Sequence, residues 1–299
     1  MNKFFTALSL SALLTLAIGC ADTTPQATVP DTRITYSNLA EDEVQQELAA
    51  VMTEAGISEA RQAVFFDHVN QFNGAVSPEA LTQGFETRDF LTPKYDPYDL
   101  QEEWEAAYPL FLGYNCRITA YGLFGDFVNI PADAPVQADT VLLDLSALEV
   151  DPSAFPRDLR GFSVLFSSVP TTATKDVATH VTALQENWAE RGITFRENDK
   201  ASLITVLFHA AEEENNSLFI GHTGILFPQS DGSLLFVEKL AFQQPYQYTR
   251  FPDRTALSDY MMLKYDTDVG QPTAPPFIME NDQLMEGYRP TPAVESAAS

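Results

Sequence analysis

The chain has 299 residues, with 42 acidic against 17 basic side chains and a formal charge of −25. Such a surface repels phosphate backbones and anionic headgroups, which excludes nucleic-acid binding and adsorption to a membrane through a basic helix. The length is enough to bury a full core, and the composition sets no oligomeric state.

Residues 1–19 read as an export signal: Lys3 supplies the positive end, Phe4 to Ile18 the apolar run, and Ala17-Ile18-Gly19 the small-residue cleavage site. Cys20 directly after that site resembles the acylated cysteine of a bacterial lipobox, although Ala17 stands where Leu is usual. Lipid on Cys20 would hold the protein to a membrane, on the outer side of the cytoplasmic membrane or in an outer membrane. The alternative is an ordinary cleaved signal with an incidental cysteine. Residues 20–33, rich in Thr, Pro and Ala, read as a tether with nothing to bury.

A single α+β domain is expected over 34–289, followed by a disordered tail at 290–299. The apolar spacing predicts a helix from about Glu41, closed by Gly56, and a second capped by Ser58 with Phe65, Val69 and Phe72 on its stripe. A short acidic helix carrying Trp104 is stopped by Pro109. The next helix opens at Cys116, with Ala120, Leu123, Phe124 and Phe127 on the face Cys116 shares. Val141 to Leu145 reads as a short strand, and Thr174 to about Arg191 as a helix. Three β-rich runs follow, at 201–208, 218–227 and 234–242, and then a last helix at 255–264. Helices first and an antiparallel meander afterwards indicate α+β, with the Cys-bearing helix packed on the meander.

The second hairpin gives the sharpest inference. A three-residue loop, Ser230 to Gly232, places Gly232 at the left-handed position. That register pairs Gly224 with Glu238 and His222 with Leu240, so Glu238 is the diagonal neighbour of His222 on one apolar face. A buried carboxylate without a partner costs on the order of 3–5 kcal/mol, and pairing with His222 removes that cost while orienting the ring. Cys116 then supplies a nucleophile, because a helix N-terminus and an adjacent imidazolium both stabilise a thiolate. The amide of Cys116 could help hold an oxyanion, with Tyr114 or Asn115 completing the set. Against this, a free Cys often packs as a small hydrophobe, and Glu238 could instead pair with Lys239 or a surface Arg. His209 with Glu212 to Glu214 could bind a cation, but reads rather as a solvated acidic loop connecting strands. His68 and His180 need no special role, and Gln243-Gln244-Pro245-Tyr246 reads as loop packing. No dinucleotide, phosphate-loop or metal-ligand spacing occurs, so no cofactor or metal is expected.

Two resemblances bear on this constellation. Thr35-Tyr36-Ser37-Asn38-Leu39, Gly113-Tyr114-Asn115-Cys116-Arg117, Phe219-Ile220-Gly221-His222-Thr223-Gly224, Leu235-Phe236-Val237-Glu238-Lys239-Leu240 and Pro276-Phe277-Ile278-Met279-Glu280-Asn281-Asp282 are similar to an uncharacterised bacterial lipoprotein family, domain of unknown function 4300, which implies no activity. More distantly, a Cys at a helix start with a strand His resembles the NlpC-type cysteine peptidases of the papain-like fold. This covers only the Cys helix and the hairpin, and Asn115-Cys116-Arg117-Ile118 replaces the usual Asp-Cys-Ser-Gly. The likeness implies a papain-like core and hydrolysis of an amide by Cys116, His222 and Glu238, with a cell-wall peptide as substrate. The rival expectation is a non-catalytic surface lipoprotein that binds a peptide, glycan or protein.

Overall fold

The computed structural model describes residues 31–136, 140–151, 158–212, 215–267 and 270–291. The export signal, Cys20 and nearly all of the tether and tail lie outside those residues.

The order of elements is β1 (Arg33–Ser37), α1 (Asp42–Glu54), α2 (Glu59–Ala75), β2 (Glu86–Asp89), α3 (Pro97–Ala107), α4 (Cys116–Phe124), β3 (Val128–Asn129), α5 (Leu142–Val150), α6 (Leu159–Leu165), β4 (Val169–Pro170) and α7 (Val177–Glu190). Then come β5 (Thr194–Phe195), β6 (Ser202–Glu212), β7 (Asn215–Pro228), β8 (Leu234–Ala241), β9 (Gln244–Phe251), α8 (Arg254–Tyr265), β10 (Phe277–Glu280) and β11 (Gln283–Leu284). The fold is α+β. One sheet runs β11-β10-β6-β7-β8-β9-β1-β2, with β4 beside β7 and every pairing antiparallel. Among the described residues no helix is long and apolar enough to cross a membrane.

Strand alternation sends two sets of side chains to opposite faces. Leu235, Val237, Tyr246 and Tyr248 join Phe65, Phe72, Trp104, Ile118 and Leu123 in a core against α2, α3 and α4. Leu226, Leu234, Phe236 and Phe251 join Leu257, Tyr260, Met261 and Met262 in a second core under α8. A β-bulge on β7 leaves Gly221 as the extra residue opposite Val206 and Leu207 of β6, which pair with His222 and Ile220. It explains how Leu218 and Ile220 belong to the first core while Leu226 belongs to the second.

The helices at 42–54, 59–75, 97–107, 116–124, 177–190 and 254–265 fall where periodicity put them, within a few residues. Ser58 occupies the N-cap position of α2 without making a side-chain cap bond, whereas Asp96, Asn115, Asp158, Asp176 and Asp253 all cap through their side chains. The expected strand at Val141 to Leu145 is wrong. Those residues enter helix α5, whose Asp144, Ala147 and Leu148 are buried, and a short apolar run does not discriminate the two states. The expected loop at Gln243 to Tyr246 is also corrected, because β9 begins at Gln244 and lies between β8 and β1.

Candidate functional site

The hairpin closes as its sequence predicts. Gly232 adopts φ 87°, Gln229 N–H donates to Ser233 O at 2.9 Å, and Gly224 pairs with Glu238. Gly224 is needed for close approach, since a Cβ there would stand 2.3 Å from Phe236 Cζ and 2.6 Å from the Val237 carbonyl oxygen.

Beyond that rung the expected His222–Leu240 pairing is absent and the strands part. The β7–β8 ladder ends at Gly224 and Glu238, and on that edge β7 is next met, among the described residues, by strand β4 at Ser217 and Leu218. The N-terminus of α4 fills the gap between these partners. Arg117 Nη1 donates to Ile220 O at 3.2 Å, the Cys116 thiol makes a long 4.0 Å contact with Gly221 O, and the Thr223 amide donates to the sulfur. A helix from one face of the sheet thereby reaches a histidine that belongs to the other.

Two local features fix the start of α4. Asn115 accepts from Ile118 N–H at 3.0 Å and donates through Nδ2 to Asp144 Oδ1 at 2.7 Å. Arg117 forks onto the buried Asp144 at 3.0 and 2.6 Å, a bidentate pair that sets the rotation of the helix. Gly113 sits at φ 85° with its Cα against Trp104, where a Cβ would come within 3.1 Å of the indole.

His222 and Glu238 form the centre. Nε2 of His222 lies 2.6 Å from Glu238 Oε2, and both residues are 1% exposed. The other carboxylate oxygen accepts from Tyr260 OH at 2.6 Å and Gln247 Nε2 at 3.2 Å, and half-buried Lys264 donates to that same Tyr260 oxygen at 3.0 Å. Tyr265 stacks on the imidazole with centroids 4.8 Å apart. With Nε2 committed to Glu238, Nδ1 is the nitrogen left for exchange with the thiol.

Burial by itself pushes the Cys116 thiol up, yet the His222 imidazolium, Arg117 and the Thr223 amide outweigh it and the net direction is down. Burial likewise disfavours a charged His222, but the Cys116 sulfur and the Glu238 carboxylate reverse this and hold the ring protonated above its usual range. Glu238 is held low against its own burial by Lys264, His222 and Tyr260. The arrangement therefore favours thiolate, imidazolium and carboxylate together. Chemically it is a paired nucleophile and proton carrier with a fixed orienting acid.

The expected oxyanion groups are engaged elsewhere. Tyr114 stacks on His68 at 3.7 Å and donates its hydroxyl to Asp151, while both ends of the Asn115 amide are used as described. At the start of α4 the Ile118 amide is taken by Asn115, which leaves the amides of Cys116 and Arg117 without an acceptor inside the helix. Lys239 does not pair with Glu238. It turns to the other face, over the ring of Phe72 at 3.9 Å.

Of the three remaining histidines, one reading is corrected, that of His209. His68 packs flat against Tyr114, and His180 lies 4.5 Å from His209 and bonds Thr171 and Thr174 O. His209 lies within β6 and bonds Asn216 and the Ala274 amide, so it belongs to no solvated loop. Sequence reasoning missed Tyr260, Lys264, Tyr265 and Gln247; the only signal was an excess of polar residues on a helix and strand that must be buried. A cavity of about 390 Å³, lined by Trp104, Pro109, Leu110, Phe111, Leu112 and Gln243 among others, opens along the loop leading to Cys116.

No curated protein and no solved structure matches the chain. The sequence pattern of the family described as domain of unknown function (DUF4300) matches residues 35–285. That span runs from within β1 to the end of β11 and contains Cys116, His222 and Glu238, so this chain belongs to the DUF4300 family.

Proposed function

We propose that the protein is a cysteine hydrolase of amides, lipid-anchored through Cys20 on the outer side of a membrane, with a papain-like catalytic core. The observation that carries the reading is the buried 2.6 Å His222–Glu238 bond placed beside a thiol at a helix N-terminus. In this reading the Cys116 thiolate attacks the amide carbonyl carbon and the carbonyl oxygen takes the negative charge. The first amides of α4 face that charge. His222 passes its Nδ1 proton to the leaving amine as the carbon–nitrogen bond breaks, which leaves a thioester and a neutral ring. Water then attacks the thioester, His222 takes the proton, and the carboxylic acid leaves. Glu238 holds the ring throughout without being protonated. A cell-wall peptide is the substrate class suited to an anchored enzyme in that compartment, by analogy of arrangement.

One observation favours a second reading. Cys116 is only 7% exposed. A non-catalytic lipoprotein that binds a peptide or glycan, with the cavity beside Trp104 as its site, accommodates a thiol that serves as packing.

Alkylation of Cys116 against pH on the folded domain, read by intact mass beside His222→Ala, separates the two. Labelling with an apparent pKa below about 7, raised by the His substitution, supports the hydrolase. Labelling only in denaturant removes it. Release of amine from cell-wall peptides, absent in Cys116→Ser, then tests the substrate class.

A further inference from the structure

An amide can react here only if it reaches both the Cys116 sulfur and Nδ1 of His222, yet Cys116 is 7% exposed and His222 1%. The walls around them differ in how firmly they are held. Glu238 stands on one edge of the ring and is fixed by Tyr260, Gln247 and the ring itself. The start of α4 is fixed by Asn115 and by the Arg117–Asp144 fork. A further wall is Tyr265, whose ring lies on the imidazole at 4.8 Å with 26° between the planes.

Tyr265 is held by packing alone. Its hydroxyl is buried and bonds to nothing among the described residues, whereas the hydroxyl of Tyr260, on the same helix, bonds Glu238, Gln247 and Lys264. The ring also meets Phe208 edge-on at 6.2 Å and the Lys264 ammonium at 5.6 Å. Turning Tyr265 off the imidazole therefore breaks no side-chain hydrogen bond, and ring stacking adds only modestly to what burial supplies. A buried hydroxyl without a partner is itself unfavourable, which weakens the closed position further.

The ring also stands where solvent comes nearest the centre. Tyr265 is the last residue of α8 and is partly exposed, while the histidine beneath it is buried. Gly221, the residue before His222, is exposed, and its carbonyl oxygen is 4.0 Å from the Cys116 sulfur. Phe208 packs so close to Gly221 that a Cβ there would stand 2.5 Å from its ring. Phe208, Gly221 and Tyr265 thus meet at the surface next to the sulfur and the imidazole.

We propose that Tyr265 is a positioning residue that gates the site: its ring shields the imidazole until it swings aside, and its bulk limits the size of the group that can stand over His222. This deepens the hydrolase reading, on which it rests for a substrate to admit. The leaving amine takes its proton from His222, so that half of the amide is the one the ring selects.

The test is the rate of Cys116 alkylation by iodoacetamide and by its bulkier N-phenyl derivative, followed against pH in the parent, Tyr265→Phe and Tyr265→Ala. In Tyr265→Ala the high-pH plateau rises about tenfold, and more for the bulkier reagent, while Tyr265→Phe stays within about twofold of the parent. Tyr265→Leu, which keeps an apolar helix former at the end of α8, decides the matter if Tyr265→Ala does not fold. Equal plateaus in the parent and the folded variant overturn the proposal. So does a Tyr265→Phe protein as fast as Tyr265→Ala, because the hydroxyl and not the ring then closes the site. An equal gain in Met52→Ala, which removes buried volume from α1 instead, overturns it as well. The midpoint of the same curves reads the thiolate. A depressed midpoint with an unchanged plateau leaves the hydrolase standing without the gate, and a raised plateau with an ordinary midpoint leaves the gate standing without the hydrolase.

Discussion

Replacing Glu238 by Gln keeps the length of the side chain and removes its charge, and the three bonds to the carboxylate show why this is expensive. Oε2 accepts from His222, whereas Oε1 accepts from Tyr260 and Gln247. If the amide oxygen stays toward His222, the new NH₂ faces the NH₂ of Gln247. If it turns the other way, the NH₂ faces His222 Nε2, and the imidazolium cannot persist. Neither orientation satisfies all partners, and the imidazolium loses its anion in a site that is 1% exposed. Breaking a buried pair in this way costs about 3–5 kcal/mol. Tyr260→Phe removes the hydroxyl's bond to the charged carboxylate together with those it accepts from Gln247 and Lys264, and should cost at least about 1.5–3 kcal/mol. Urea denaturation near pH 7 measures both, and histidine NMR follows His222, whose titration should fall toward the ordinary range in Glu238→Gln. A Glu238→Gln protein within 1 kcal/mol of the parent, with His222 unmoved, refutes the argument that this carboxylate is ionised and central.

Three other outcomes follow from the geometry. Thiolate and imidazolium together carry one proton, as do the unfolded thiol and neutral imidazole between about pH 6.5 and 8.5, so the pair adds no slope to stability there. Below that window the unfolded state binds more protons and stability falls with pH; above it the folded imidazolium binds more and stability falls as pH rises. In Cys116→Ala the ring loses the sulfur, the first of the groups that raise it, so His222 should titrate below its value of about 9 in the parent, and histidine NMR from pH 5 to 9 displays the fall. Gly224→Ala drives a methyl against Phe236 and a backbone carbonyl, and a loss of about 1–3 kcal/mol is expected from the shift in urea midpoint. Asp144→Ala leaves Arg117 without its anion and Asn115 without its acceptor, a loss of about 3–5 kcal/mol that also loosens the start of α4 and raises the Cys116 pKa by alkylation.

The hairpin and its His–Glu diagonal were legible because turn chemistry and strand parity are local rules, and both act within 218–240. Strand β9 was not, because Gln-Pro-Tyr-Gln-Tyr-Thr-Arg-Phe alternates aromatic and polar residues and both kinds are buried: Tyr246 and Tyr248 enter one core while Gln247 faces Glu238 beneath α8. Helix α5 failed for the opposite reason, since a run of apolar residues fits either state. The parting of β7 and β8 could not be read at all. It depends on α4 and β4, whose residues come from 116–124 and 169–170, occupying the place a continued ladder would need. Cys116 could be nominated from its position at a helix start, but its meeting with a histidine of the opposite sheet face is a tertiary fact.

The place of the first strand has a consequence for how the chain is made. β1 has no partner among its near neighbours except β2, and it enters the sheet beside β9, where Asn38 donates to the carbonyl of Tyr246 across 208 residues at 2.8 Å. The segment synthesised first must therefore wait for almost the last before it can be stitched in. Contacts of such long range close slowly and leave strand edges bare meanwhile. Until the final fifth of the polypeptide arrives, the sheet has no completed flank, and the newborn chain depends on whatever shields an unpaired β edge.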